Sequence, residues 1–251
     1  MQETVKILGL NIANKRADDL LVDIDSSITT RKKRIYIPLN VDMVVRSRHD
    51  EEFKGILQQD VVLLADGMPL IWAAMFLGER IKEKISGSDL FPELCKLSAD
   101  KRHKLFFLGS KPGVAIRARN VLLNKFSALN VVGIYSPTIG FENFDKENQK
   151  IIALINNAGA DILFIGLGAP KQEKWIWKYK DSLNTPVVVC IGASFDFVSG
   201  AIIRAPRWMQ KAGLEWFWRL MMEPKRLWKR YLINDPEFFW LVLKQKLGLL
   251  K

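Results

Sequence analysis

The chain has 251 residues, a formal net charge of +11 and 49% apolar side chains, enough to bury a large core as one α/β domain with an appendage. Met1-Gln2-Glu3-Thr4-Val5-Lys6 lacks the apolar centre of a signal peptide, and no run is long and apolar enough to span a bilayer. Cys95 and Cys190 stand alone among apolar neighbours, while His49 and His103 lie apart in charged segments, so a disulfide framework and a zinc site both drop out and a reducing, cytoplasmic setting is expected.

Residues 5–10 read as a first strand, after which Ala17, Leu20, Leu21, Ile24 and Ile28 recur at helical spacing. Asp23-Ile24-Asp25 is a DxD triplet, a pattern that holds a metal in some sugar transferases. Inside an amphipathic helix it reads instead as a solvated face. Residues 35–39 form a second strand ending at Asn40, and residues 41–59 read as helix. Residues 61–65 are a short apolar run leading into Asp66-Gly67-Met68-Pro69, which predicts a buried strand turning into a helix. Gly67 permits the turn and Pro69 suits a first helical turn. The carboxylate cannot share the burial of the run before it without a partner. Asp66 is therefore expected at a strand-to-helix junction, as a catalytic carboxylate beside a cleft or as a plain helix cap.

Ser86-Gly87-Ser88-Asp89-Leu90 opens the next helix, capped by Ser88 or Asp89. Residues 104–108 are a strand ending at Gly109-Ser110, Pro112 opens a helix to about residue 126, and residues 130–135 are a strand followed by a loop. A helix over 145–157 precedes the strand 161–165, which runs into Gly166-Leu167-Gly168-Ala169-Pro170-Lys171-Gln172-Glu173. Residues 186–191 form a last strand, ending at Gly192-Ala193-Ser194.

This alternation predicts an α/β fold: a Rossmann-like, mostly parallel sheet over residues 1–203 with helices on both faces. The strands are apolar without alternation, as strands covered on both faces are. In such sheets ligands bind beyond the carboxyl ends of the strands, where this chain places Asn40, Asp66, Gly109, Ser110, Gly168, Lys171, Gln172 and the 192–194 loop. Glycines let a ligand reach the backbone and helix N-termini offer N–H groups to phosphate, the logic of a nucleotide or nucleotide-sugar site. A transferase there needs a base, for which Asp66 is best placed, and positive charge for a leaving diphosphate, for which Lys171, Arg204 and Arg207 are candidates. A dinucleotide-dependent oxidoreductase on the same sheet is an alternative, but no G-x-G-x-x-G stands in the right context and no G-x-x-x-x-G-K-[ST] occurs.

From residue 204 onward there are eleven Lys or Arg against four Asp or Glu, a net of +7 that leaves +4 for the rest of the chain, and five of the eight tryptophans. A basic, Trp-rich end fits a partner that is both anionic and apolar, which a lipid surface is and nucleic acid is not. A nucleic-acid-binding module remains a second alternative without a recognisable reader motif. On a helical wheel of residues 225–233, Lys225, Arg226, Lys229 and Arg230 fall on one half and Leu227, Trp228, Tyr231 and Leu232 on the other, the pattern of an interfacial helix. Before it, Lys211, Glu215, Arg219 and Glu223 form an i, i+4 row of alternating charge, with Leu214, Phe217, Trp218 and Met221 on the apolar side. Asp235-Pro236 caps a final segment whose apolar residues 238–243 suit packing on the domain or in a homo-oligomer interface as well as a membrane. Residues 204–251 are thus expected to be a helical basic and aromatic C-terminal appendage.

These residues in this order resemble the WecG/TagA/CpsF family of bacterial glycosyltransferases. The resemblance rests on Asn40 with Asp42, Ala65-Asp66-Gly67-Met68-Pro69, Ser86-Gly87-Ser88-Asp89-Leu90, Phe107-Leu108-Gly109-Ser110, the stretches 166–173 and 192–200, Arg204-Ala205-Pro206 and Gly213-Leu214-Glu215-Trp216. It implies a hexosyltransferase: a cofactor-free, metal-independent, inverting transfer from a UDP-sugar to a polyprenyl-diphosphate-linked sugar, by an enzyme held peripherally at the inner face of the cell membrane. The donor sugar would be N-acetylmannosamine, its uronate or a related hexose, for teichoic-acid, common-antigen or exopolysaccharide synthesis. The family's catalytic aspartate falls on Asp66, its strand-end asparagine on Asn40, its PKQE glutamine on Gln172, and its C-terminal arginines on Arg219 and Arg226, with Lys229 and Arg230 covering a further basic position. The chain departs from the family pattern at two places. Pro38 stands where teichoic-acid members carry a threonine, and Lys84 replaces an arginine that could grip phosphate with two parallel bonds.

Overall fold

The computed structural model describes residues 3–250, so Met1, Gln2 and Lys251, the outer ends of the two expected regions, lie outside the described residues. In chain order come β1 (Thr4–Ile7), β2 (Leu10–Ala13), α1 (Ala17–Thr29), β3 (Arg34–Leu39), α2 (Val41–His49), α3 (Glu51–Leu57), β4 (Val62–Ala65), α4 (Met68–Leu77) and α5 (Gly87–Lys101). Then follow β5 (Lys104–Gly109), α6 (Val114–Lys125), β6 (Asn130–Tyr135), α7 (Asp145–Ala158), β7 (Ile162–Gly166), α8 (Lys171–Tyr179), β8 (Val187–Cys190) and α9 (Ser194–Val198). The C-terminal part holds α10 (Arg207–Lys211), α11 (Glu215–Met222), α12 (Pro224–Lys229), a π-helical turn (Arg230–Asn234) and α13 (Pro236–Lys246).

The strands form one eight-stranded sheet in the order β1-β2-β4-β3-β8-β7-β5-β6, Rossmann-like and parallel except for the antiparallel β1–β2 edge. That edge corrects the single strand expected over 5–10: Leu8 and Gly9 take φ of 49° and 84°, and the chain reverses there. The helix expected over 41–59 is two helices. Asp50 breaks it, its carboxylate accepting the Phe53 N–H at 2.9 Å as an N-cap.

Strand side chains alternate between two cores. Ile37, Leu39, Leu63, Leu108, Ile165 and Val188 pack on one face with residues of α2, α4, α7, α8 and α13. Tyr36, Leu64, Phe107, Phe164 and Val189 pack on the other with α1, α5, α6 and α9. The helix after β3 and the helix after its neighbour β8 therefore leave on opposite faces, which opens a crevice at their carboxyl ends.

The expected boundary at 203/204 falls between α9 and α10, but the chain after it does not hang free. Phe238, Leu241 and Val242 of α13 are buried in the same core as α2 and α4, each such side chain contributing roughly 1.5–3 kcal/mol. Gln245 adds a polar tie, its Oε1 accepting the Leu8 N–H at 2.7 Å. Within residues 238–243, Phe238, Leu241 and Val242 thus pack on the domain while Phe239 and Trp240 stay exposed.

Candidate active site

The crevice is a cavity of about 660 Å³, within the size range of small-molecule sites. Its floor is the strand ends and its roof the helices after residue 206. Several helices begin at its wall, among them α2, α4, α5 and α8, whose first-turn residues Val41, Met68, Gly87 and Gln172 line it. Their backbone N–H groups and dipoles favour an anion in the cavity.

Asp66 lies on the floor. Register fixes it: Leu39 pairs with Ala65, and the Asp66 N–H donates to the Leu39 carbonyl at 2.8 Å. Gly67, at φ 117°, makes the turn that starts α4, and no side chain caps that helix. The cap reading of Asp66 is thereby excluded. Among the described residues its carboxylate has no hydrogen bond or ion pair, and it keeps part of its surface open to the cavity while protein surrounds it beyond. Burial pushes its carboxyl up to about 6, with Glu215 and Asp89 adding to the rise and Lys84 and Arg219 opposing it.

Asp89, two loops away, goes the other way. Its burial is outweighed by hydrogen bonds from Arg204 and Ser86, which hold it below the usual carboxylate range. Arg204 Nη1 lies 2.6 Å from Asp89 Oδ1 and its Nε 3.2 Å from Glu215 Oε1. Arg204, expected to meet the substrate, is thus outside the cavity lining, where it clamps Asp89 to the cavity-lining Glu215. The cap of α5 is Ser86, accepting the Asp89 N–H at 3.1 Å, two residues before Ser88 and three before Asp89.

Of the other expected residues, the structure brings Asn40, Gly168, Gln172, Arg219, Arg226 and Arg230 to the cavity wall. Gln172 is buried, and its Oε1 accepts the N–H groups of Leu167 and Gly168 at 3.3 and 3.2 Å while its Nε2 donates to Glu173 at 2.7 Å. It shapes the Gly168 loop. Glu173 beneath it is pushed up to about 7 by burial, against the Gln172 hydrogen bond. Arg219 stacks its guanidinium 5.5 Å from the centre of the Phe197 ring, and among the described residues it has no carboxylate partner and its buried Nε no hydrogen-bond acceptor.

Gly109, Ser110, Lys171, Arg207 and Lys229 are not brought to the wall. A Cβ on Gly109 would meet the Gly166 carbonyl at 2.4 Å, so glycine is required there by the close approach of β5 and β7. The Ser110 hydroxyl lies 3.5 Å from Asp196. Lys171 turns to Glu142 at 2.7 Å, and Arg207 and Lys229 are exposed. The DxD acids are likewise spoken for on α1: Asp23 pairs with Lys15, and Asp25 lies 2.7 Å from His103.

The C-terminal faces differ from the wheels drawn on the sequence. Gly213, at φ 74°, breaks the charge row, so Lys211 ends α10 while Glu215 and Arg219 of α11 face the cavity. The apolar side of α11 is turned outward: Phe217 and Met221 are exposed and the helix buries no residue. Of the interfacial face, Lys225, Arg226 and Lys229 are exposed, but Arg230 turns inward at the π-helical turn, and Trp228 and Leu232 are exposed while Leu227 is buried. Asp42, Arg46, Glu215 and Asp235 also line the cavity and were not picked out as site residues. Their sequence signals were Asp42 in the motif with Asn40, Glu215 in the charge row and the 213–216 motif, and Asp235 before a proline.

Among the described residues, this strand-end cavity of a Rossmann-like sheet brings together an acid and a guanidinium that have no ion-pair partner, an arrangement that suits an α/β enzyme site. The model of the glycosyl transferase WecG/TagA/CpsF family matches residues 5–251, and the chain belongs to that family. It is 29% identical over 208 residues to an N-acetylglucosaminyldiphosphoundecaprenol N-acetyl-beta-D-mannosaminyltransferase of Bacillus subtilis, covering 83% of this chain and 78% of that protein. It is 25% identical to proteins of the same name from Bacillus spizizenii, over 97% of this chain and 92% of that protein, and from Staphylococcus aureus, over 96% and 93%. The chain is thus an enzyme, a hexosyltransferase of this family.

Proposed function

We propose that the enzyme moves a sugar from a UDP-sugar, with inversion and without a metal, onto a hydroxyl of a polyprenyl-diphosphate-linked sugar at the membrane face. Asp66 takes the proton of the acceptor hydroxyl, that oxygen attacks the anomeric carbon, and the bond to the UDP oxygen breaks on the opposite face. A single displacement of this kind inverts the centre. The departing diphosphate gains negative charge, which Arg219, Arg226 and the helix N-termini at the wall are placed to take up. The acceptor class follows the names of the relatives, and the donor is N-acetylmannosamine, its uronate or a related hexose. Pro38 lines the cavity where a hydroxyl would otherwise reach the donor, so the donor sugar is the point at which this chain is expected to differ.

The membrane part of the reading is carried by the inverted faces of the roof. Trp208, Phe217, Met221, Trp228, Leu232 and Trp240 are exposed on the C-terminal helices that also expose Lys225 and Lys229, and Trp72 and Met75 are exposed on α4, which packs against α13. Large apolar side chains exposed in this number mark a partner or a lipid interface. Among the described residues no helix is long and apolar enough to cross a membrane.

The observation that carries the reaction is Asp66: a carboxylate left without a bonded cation, raised to about 6, in the same cavity as Arg219. The test is transfer from a panel of UDP-sugars to a polyprenyl-diphosphate N-acetylglucosamine, with the product anomer read by NMR. Asp66→Asn is expected to lose roughly 10²–10⁴-fold in turnover, the usual span for a general base, with the fold intact. A normal rate in that variant, or a retained anomer, overturns the mechanism.

A further inference from the structure

Beneath the roof lies a cluster of charged groups that the mechanism above does not use. Asp42 of α2 and Asp235, which precedes α13, are both buried. Arg230 sits between them, its Nε 3.6 Å from Asp42 Oδ1 and 3.8 Å from Asp235 Oδ2. Arg46, one turn along α2, takes the other Asp42 oxygen at 2.9 Å. Arg230 opens a π turn, closed by the Asp235 N–H donating to the Arg230 carbonyl at 2.8 Å, which brings Asp235 one wide turn after it. Single π turns are rare and frequently fall at functional sites.

The far end of Arg230 touches the candidate site. Its Nη2 donates to Asn40 Oδ1 at 3.2 Å, and the Met43 N–H donates to the same oxygen at 3.2 Å. Two donors on one atom settle which end of the amide is oxygen. The Nδ2 group, for which no partner exists among the described residues, is then the end available to a ligand in the cavity that Asn40 lines.

We propose that Asp42 is a positioning residue for the transfer: with Asp235 it holds Arg230, and Arg230 fixes the Asn40 amide so that its NH₂ donates to the sugar donor. The roof thus acts on the donor subsite through Asn40, apart from any hold on lipid. Stability alone is a poor account of the cluster. Asp42 Oδ1, Asp235 Oδ1 and Arg230 Nε are buried without a hydrogen-bond partner among the described residues. Buried ion pairs are seldom more stabilising than apolar side chains of the same volume, and their best-attested use is to fix one geometry.

The inference rests on the proposed reading that Asn40 meets the donor, and a double-mutant cycle separates the two. The full-length enzyme is assayed in detergent with a short-chain acceptor, so that membrane binding plays no part. Asn40→Ala and Asp42→Asn are each expected to lower kcat/KM for the UDP-sugar about 10–100-fold, the effect of misplacing a substrate contact by roughly 1 Å. The double variant is expected to be no worse than Asn40→Ala, because the two act as one unit. Affinity for UDP alone, read by calorimetry, is expected to stay unchanged, which a collapse of the site would not allow. Losses that multiply overturn the relay while leaving the site reading in place. Full activity in Asn40→Ala overturns both. If Asp42→Asn folds poorly, the cycle of Arg230→Gln with Asn40→Ala carries the same expectation and the same refutation.

Discussion

Among the described residues, Asp66 on the floor of the cavity is a carboxylate with no cation bonded to it, and Arg219 on the roof is a guanidinium with no carboxylate bonded to it. Elsewhere around the cavity the fold pairs its charges closely: Arg204 with Asp89 and Glu215, Arg46 with Asp42, Lys171 with Glu142. Asp66 and Arg219 feel each other's field without forming a bridge, since register holds one at the end of β4 and α11 carries the other over Phe197. An uncompensated buried charge costs stability, so groups kept apart in this way point to chemistry rather than packing. The two walls differ in construction as well. The floor is strand ends locked by ladder bonds, while α11 buries no residue of its own.

If Arg219 is the roof's counterpart to Asp66, removing its charge should cost almost as much as removing the base. Arg219→Gln is expected to lower kcat about 10²–10³-fold, the range for losing one preorganised group that stabilises developing charge. Arg219→Lys should recover little, since an ammonium neither stacks on Phe197 as a guanidinium does nor forms two parallel bonds to phosphate. Steady-state transfer assays decide it, and a near-normal kcat in Arg219→Gln would erase the contrast between the walls.

The outer side of the roof gives a smaller, salt-dependent effect. Lys225 and Lys229 flank exposed aromatic residues and have no part in the cavity lining. Each cation near an anionic surface contributes about 1 kcal/mol, so Lys225→Gln with Lys229→Gln should weaken sedimentation with phosphatidylglycerol vesicles roughly 30-fold at low salt. The difference should shrink at high ionic strength. Equal binding by parent and variant would assign the outer face to something other than anionic lipid.

The floor was legible in the sequence because strands and their end residues follow local rules. A five-residue apolar run stopped by Asp66-Gly67 has few other readings, and the resemblance adds its partners. What was not legible depends on backbone that departs from a regular period. The wheel over residues 225–233 assumes an unbroken α-helix and one lipid-facing basic side, yet a π turn begins at Arg230, and Arg226 and Arg230, four residues apart, both line the cavity. A charge row at i, i+4 assumes one helix through residue 213, where glycine ends it. Gly109 has the look of a phosphate loop, yet its cause is the nearness of Gly166 on the neighbouring strand, which no local pattern records. Asp50 is the exception: an aspartate followed by Glu51 and Glu52 is a cap signal that local rules do supply.

The comparison of walls also makes a claim about stability, with a sign opposite to that of ordinary acid pairs. Asp66 is raised from 3.8 to about 6, so its native form binds a proton more readily than its unfolded form. Above pH 6 the buried carboxylate is charged and destabilises the fold, by on the order of 2 kcal/mol once its opening to the cavity is discounted. As pH falls through 6 the native carboxyl takes up its proton and that cost fades, vanishing below about 4, where the unfolded chain is protonated too. Asp66→Asn carries no charge to desolvate. At pH 7 it is therefore expected to be more stable than the parent by about 2 kcal/mol, at roughly 2–4 °C in Tm per kcal/mol, and near pH 4 the two should melt alike. The same titration should set the acid limb of kcat/KM near pH 6 in the parent. Paired urea and thermal melts across this range check the first, and a pH–rate series the second. A variant less stable than the parent at pH 7 would mean that Asp66 holds the fold together, and the contrast with Arg219 would no longer point to chemistry.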